Sequence, residues 1–254
     1  MKSNWLPLVA VVLVAVVFVA SIGLNLLLFR RTRGYYRELN EVRLDPLGLS
    51  YYAAGGDPQL KAPADRTTVV FLGDARAADW SAPDLKQFKF VNWGLGSQTS
   101  AQVGQRFADQ VKRLQPHIVV VQVGIVDLKT ILVFPERKAS IVGNCKTNIQ
   151  RIVEQSVNSG AQVVLTTVFP LGQVPLKRRL FWSDDVAAAI EDVNKFITSL
   201  RSENVAILDT APVLTGRDGK INPDYTTDFL HLNAKGYAAL NAELARILTS
   251  MQRS

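Results

Sequence analysis

From Leu6 to Phe29 the chain is apolar almost without interruption, broken only by Pro7, Ser21, Gly23 and Asn25. As a helix this stretch reaches about 36 Å, enough to cross the ~30 Å hydrocarbon core of a bilayer. The pattern predicts one transmembrane helix, an N-terminal anchor over residues 1–29. Residues 30–66 lose that pattern and read as a juxtamembrane connector. Tyr35 to Val42 fits a short helical extension, after which Asp45-Pro46, Gly55-Gly56-Asp57-Pro58 and Pro63 break any regular element. From about Thr67 the rhythm changes again. Short runs rich in Val, Ile or Phe, at 68–72, 88–92, 118–123, 163–168 and 205–208, alternate with amphipathic stretches near 101–114, 140–159, 184–201 and 234–251. Runs so short and so uniformly apolar suit strands buried on both faces. Five of them alternating with helices predict an α/β domain over 67–254, a doubly wound, five-stranded parallel sheet. Any ligand site then lies beyond the carboxyl ends of the strands.

The residues after Phe29 separate a retained span from a signal peptide. A signal peptide has a shorter apolar region and a small-residue cleavage motif, whereas this stretch runs into Arg30-Arg31-Thr32-Arg33 and Tyr35-Tyr36, residues that suit a membrane interface. These arginines outweigh Lys2 on the amino side, and the positive-inside rule then places the domain in the cytoplasm. The 254 residues are 48% hydrophobic and 20% charged, which excludes disorder and fits one domain with an appendage. The net charge of +7 gathers beside the span and at Lys177-Arg178-Arg179. Neither run is long or aromatic-interleaved enough for nucleic acid, whereas basic residues beside a membrane segment suit anionic lipid headgroups. The single cysteine, Cys145, excludes an internal disulfide and a thiolate metal site, and reads as a small buried residue of a helix. The two histidines, His117 and His231, lack metal-ligand spacing, so neither a metal nor a cofactor is expected.

Four blocks stand at the predicted strand ends. Phe71-Leu72-Gly73-Asp74-Ala75-Arg76 closes the first strand, and Asn92-Trp93-Gly94-Leu95-Gly96-Ser97-Gln98-Thr99 closes the second. Gly124-Ile125-Val126-Asp127-Leu128 ends the third, and Asp228-Phe229-Leu230-His231-Leu232-Asn233 precedes the last helix. In this order and register, over roughly residues 67 to 250, the chain resembles the SGNH (GDSL) hydrolases. The resemblance implies their flavodoxin-like sheet and an esterase-like site. In that family a serine after Gly-Asp attacks an ester carbonyl, a glycine and an asparagine donate to the oxyanion, and histidine and aspartate activate the serine. Matched residue by residue, Asp228 and His231 take the positions of the orienting acid and the base. Ala75 takes the nucleophile position without a hydroxyl. Ser97 takes the oxyanion glycine's position, keeping its backbone N–H, and Val126 takes the asparagine's position without a donor.

These residues allow two readings. In the first, the domain is a degenerate hydrolase held at a membrane, a binding or scaffold module with a protein partner in a membrane complex. In the second, it is an esterase or acyltransferase on membrane or cell-envelope acyl groups, with Ser97 or Thr99 supplying a displaced hydroxyl near His231. Asp74 is read as organising its turn rather than attacking substrate. Arg76 is expected at the edge of the pocket, on the surface or facing an anion, and the loop from Leu171 to Leu180 is expected to cover the pocket. His117 reads as an ordinary loop residue. Anchored members of the family often work outside the membrane, against the charge rule, so the side of the membrane stays open.

Overall fold

The computed structural model describes residues 5–50, 66–108, 114–179 and 182–252, in two compact units, Met1–Ser50 and Tyr51–Ser254. The expected chain breaks at Gly55-Gly56-Asp57-Pro58 and Pro63 lie outside the described residues, as do residues 109–113 of the amphipathic stretch near 101–114.

The first unit is dominated by one helix, α1 (Trp5–Leu44), of 40 residues and about 60 Å. It is long and apolar enough to cross a membrane. The expected boundary at residue 29 is not a break in the helix. Arg30 through Leu44 carry on in the same helix because nothing before Pro46 opposes it, and Arg37 pairs with Glu41 one turn on at 3.6 Å. The helix ends ahead of Pro46, whose ring disfavours helical backbone at the residue before it. Within the apolar stretch, Asn25 donates its side-chain amide to the Ser21 carbonyl at 2.8 Å, which hides a polar group that hydrocarbon could not satisfy.

The second unit carries the predicted sheet. β1 (Thr67–Gly73), β2 (Phe88–Gly94), β3 (Ile118–Gln122), β4 (Gln162–Thr166) and β5 (Val205–Leu208) are all parallel, in the order β2-β1-β3-β4-β5. Between them run α2 (Ala75–Ala78), α3 (Ser100–Arg106), α4 (Ile125–Leu128), α5 (Lys138–Asn158), α6 (Leu176–Arg179) and α7 (Asp184–Ser199), and after β5 come α8 (Ala211–Leu214) and the last helix, α9 (Ala234–Met251). Alternate strand residues feed two cores. Val70, Leu72, Val119, Val121 and Val163 pack with Val103, Ile149 and Val193 of α3, α5 and α7. Val69, Phe71, Val120 and Val164 pack with Trp80, Phe169 and Leu240, Leu244 and Leu248 of α9. Each such side chain contributes about 1.5–3 kcal/mol on burial, so both faces hold the sheet in register. Cys145 is buried in the first core as expected, and burial pushes its thiol well up from the ordinary value. His117 does more than a loop residue would. Its ring accepts the Thr68 N–H at 3.1 Å and its own backbone N–H reaches the Thr68 carbonyl, so it fastens the start of β1 to the start of β3.

The strand order reverses between β1 and β3. Folds of this kind carry their ligand crevice at such a switch point, beyond the carboxyl ends of the strands, and contacts between the loops bring the four sequence blocks together there.

Candidate active site

The turn after β1 is built on Asp74. Its carboxylate caps α2 by accepting the Arg76 N–H at 2.9 Å, and its carbonyl accepts the Ala77 and Ala78 N–H groups. Asp74 is fully buried, and that burial raises its carboxyl to about 6 against the pull of the Arg76 guanidinium. Its other oxygen, Oδ2, has no partner among the described residues. Ala75 is the first residue of α2 and presents a methyl where the resemblance puts a hydroxyl.

The loop after β2 stands over that turn. A methyl built on Gly96 would reach the Ala75 Cβ at 3.9 Å, ordinary contact distance. Ser97 comes next, exposed, with φ of +63°, a left-handed conformation that glycine adopts freely and serine does not. The backbone at 97 therefore keeps the form of a glycine site. Thr99 is the N-cap of α3: its hydroxyl is shared with Gln102 in a capping box and is occupied there. Arg106, fully buried, pins this region together, donating to the carbonyls of Gly73 and Trp93 and to the Gln98 side chain.

The loop after β3 turns at Gly124, with φ of +119°, and leads into Val126, an apolar, buried side chain of the first core. Asp127 locks this loop to the previous one. Its carboxylate accepts the Ser100 N–H at 2.8 Å and the Ser100 hydroxyl at 2.7 Å, and Asn148 donates to the same hydroxyl at 3.1 Å. Burial raises the Asp127 carboxyl, opposed by the two Ser100 hydrogen bonds. Nothing in its sequence neighbourhood marked Asp127 for this; the only signal was an acid set among apolar residues directly after a strand.

On the opposite wall, the Asp228 carboxylate accepts the backbone N–H groups of Leu230 and His231, each at 2.7 Å. It also holds the His231 ring, with Nδ1 at 2.9 Å from Oδ2. Burial of Asp228 raises its carboxyl, but the His231 ring and the two N–H groups outweigh that and hold it below the usual carboxylate range. The imidazole is thus oriented by a carboxylate with its outer nitrogen free of that bond. Its side chain is 43% exposed and reaches solvent.

Arg76 corrects the expectation of a residue at the pocket edge. It is 1% exposed, and burial lowers its pKa from the ordinary arginine value. Its Nε donates to the Leu230 carbonyl at 3.0 Å and its Nη1 to the Phe169 carbonyl at 3.2 Å, while the guanidinium lies 5.2 Å from the centre of the Phe169 ring. Tyr237 of α9 donates to the Arg76 carbonyl at 2.9 Å. One buried side chain thereby fastens the turn of Ala75 to the loop of Asp228 and His231.

The expected covering loop packs against the same region. Gly172 donates its N–H to the Phe229 carbonyl at 2.9 Å and Arg178 lies over the Phe229 ring; Leu180 lies outside the described residues, and beyond the loop Trp182 meets the same ring edge-on at 5.0 Å. Beside it, at the ends of β4 and β5, a groove of about 1030 Å³ runs between α7 and this loop, lined in part by Leu171, Trp182, Ile190 and Asp209. Its lining includes neither Ala75 nor His231. Among the described residues, no three His, Cys, Asp or Glu side chains are grouped to hold a metal ion.

The sheet order and the four loops meeting at its switch point define an SGNH-type hydrolase fold. Residues 50–239 match the GDSL-like Lipase/Acylhydrolase family, and the chain belongs to it. It is 26% identical over 196 residues to the platelet-activating factor acetylhydrolase IB subunit alpha1 of Pongo abelii, covering 72% of this chain and 78% of that one. Among solved structures it is similar to a GDSL-like lipase from Bacteroides thetaiotaomicron, with 24% identity, a TM-score of 0.66, and 81% and 98% of the two chains covered. It is also similar to a Bacteroides fragilis protein carrying an acylhydrolase assignment, with 21% identity, a TM-score of 0.64, and 82% and 98% covered. At these identities the two structures establish the fold.

Proposed function

We propose that this chain is a membrane-anchored member of the family in which the serine-ester route is closed, and that it works as a binding or scaffold module. The observation that carries the reading is Ala75. It stands at the start of α2, beneath the Gly96 loop, where a serine would attack, and it has no atom to attack with. Val126 removes a second polar group from the same wall. An asparagine-type donor is worth ~10²–10³ in rate, and a missing nucleophile removes the covalent intermediate altogether. The anchor reading is supported by α1, which is long and apolar enough to span a bilayer and continues through Arg30 and Tyr36 to Leu44.

The test is a fluorophosphonate probe applied to the detergent-solubilised full chain. No serine is expected to label, and retention of the chain in membranes after a high-salt wash is expected of a spanning helix. Labelling of any serine would overturn the pseudoenzyme reading.

A second reading is favoured by one observation, the intact Asp228–His231 pair at 2.9 Å. It makes the protein an esterase or acyltransferase on membrane or cell-envelope acyl groups, with Ser97 as the displaced nucleophile, since the Thr99 hydroxyl is committed to its helix cap. Ester hydrolysis by the unmodified chain that disappears in both Ser97→Ala and His231→Ala would select this reading.

A further inference from the structure

Among the described residues of the second unit, three large apolar side chains stand exposed: Val133, Phe134 and Leu176. All three lie at the carboxyl end of the sheet. Val133 and Phe134 belong to the segment between β3 and α5, and Leu176 to the segment between β4 and α7. Lys138 at the start of α5 pairs with Asp185 at the start of α7 at 2.6 Å, so the two segments stand side by side. Nothing internal calls for the exposure. The preceding Leu132 packs against the first core, while Val133 is 70% exposed and Leu176 78%.

The same two segments carry an excess of positive charge. Lys129 and Arg137 flank the first apolar pair and are matched in that segment by Asp127, turned onto Ser100, and Glu136, so the excess comes from Lys177, Arg178 and Arg179, which adjoin Leu176 directly. Arg137 lies over the Phe134 ring at 5.6 Å, an arrangement in which the apolar face and the charge share one surface. Asp184 and Asp185 open the next helix, and Asp185 is already paired with Lys138. Apolar tips surrounded by basic side chains form the pattern of a surface that enters the headgroup region of an anionic bilayer. The chain also brings a bilayer within reach. α1 is long enough to span one, and the residues from Leu44 to Thr67 extend at most about 80 Å.

We propose that this rim, formed by the segments after β3 and β4, docks on an anionic lipid surface and turns the crevice toward the membrane. The proposal uses α1 for its setting and no residue of the Asp228–His231 pair, so it stands apart from the question of catalysis; the salt-wash test of the anchor separates its failure from a failure of the membrane reading.

The experiment places a thiol-linked environment-sensitive fluorophore at Gln173→Cys, exposed beside Leu176, or at Gln87→Cys, exposed at the opposite end of the sheet. The native Cys145 is buried and stays unlabelled. The full chain is reconstituted in vesicles of phosphatidylcholine, or of equimolar phosphatidylcholine and phosphatidylglycerol, each containing a spin-labelled lipid quencher. Several-fold stronger quenching at 173 than at 87 is expected in the anionic vesicles, with loss of the difference in phosphatidylcholine. Phe134→Asp with Leu176→Asp should abolish it, and Lys177→Glu with Arg179→Glu should weaken it. Equal quenching at 173 and 87 in anionic vesicles, or quenching that survives Phe134→Asp with Leu176→Asp, overturns the rim. Quenching at 173 that is as strong in phosphatidylcholine overturns the assignment to anionic lipid.

Discussion

On one wall of the crevice, Asp228 and His231 keep both their backbone placement and their polar atoms, down to a ring nitrogen 2.9 Å from a carboxylate. On the other, the backbone makes its turns, left-handed at 97 and glycine-built at 124, while Ala75 and Val126 carry neither a hydroxyl nor an amide. The comparison separates two things that catalysis needs together. Backbone shape at a strand end is held by many contacts, here Asp74, Arg106, Asp127 and Ser100, and survives the loss of any one reactive atom. The reaction rests on a few atoms with no redundancy. A fold match therefore speaks for the first and leaves the second to be read position by position.

The sharpest way to break this picture is to cut the tie between the walls. Arg76→Ala removes two hydrogen bonds to buried carbonyls, opens a cavity and takes the nearest cation from Asp74. A loss of about 3–5 kcal/mol in unfolding stability is expected. Hydrogen exchange at Leu230 and His231 should accelerate with it; unchanged protection there would mean that the walls are held independently.

Asp74 ranks second. A carboxyl moved from 3.8 to about 6 corresponds to about 3 kcal/mol. Because its folded value is raised, the stabilisation is present below pH 4 and is lost as pH rises through about 6. Asp74→Asn should match the parent chain in acid and gain on it progressively between pH 4 and pH 6, an outcome that melting temperatures across that range would report. A constant offset at all pH values would show that Asp74 is not protonated on folding.

On the reading that the serine route is closed, supplying a hydroxyl tests whether the two walls fit each other. Ala75→Ser should give weak hydrolysis of small activated esters, and adding Val126→Asn should raise it by ~10²-fold. His231→Ala in that background should abolish the gain. Absence of any activity in the doubly repaired chain would show that the Asp228 wall, though intact, stands out of reach. The smallest effect concerns Ser97. Ser97→Gly relieves a left-handed serine and should stabilise the domain by about 1 kcal/mol, read by denaturant unfolding, with little effect on the repaired activity because the N–H is already there.

The sheet was legible because its strands are buried on both faces and announce themselves as Val- and Ile-rich runs. β5 has the predicted bounds, and β1 extends the predicted run by one residue at each end. Asp228 and His231 were legible because the pair is local, three residues apart on one loop. Arg76 was not. A charge next to a turn reads as surface, and its true partners lie 154 and 93 residues away, where no pattern along the chain connects them. The reach of α1 to Leu44 was hidden for a different reason. A basic, tyrosine-bearing stretch looks like the end of a span, yet all its residues tolerate a helix.

That extended helix also changes what counts as adequate affinity. On the anchored reading, a domain confined within about 80 Å of a fixed point experiences a surface beneath it at an effective concentration on the order of 1 mM. Contacts far too weak to recruit a free protein would then be populated most of the time. Selection on the rim would act on orientation, with little pressure toward tighter binding, and a short deletion in the connector would change occupancy without altering a single contact residue.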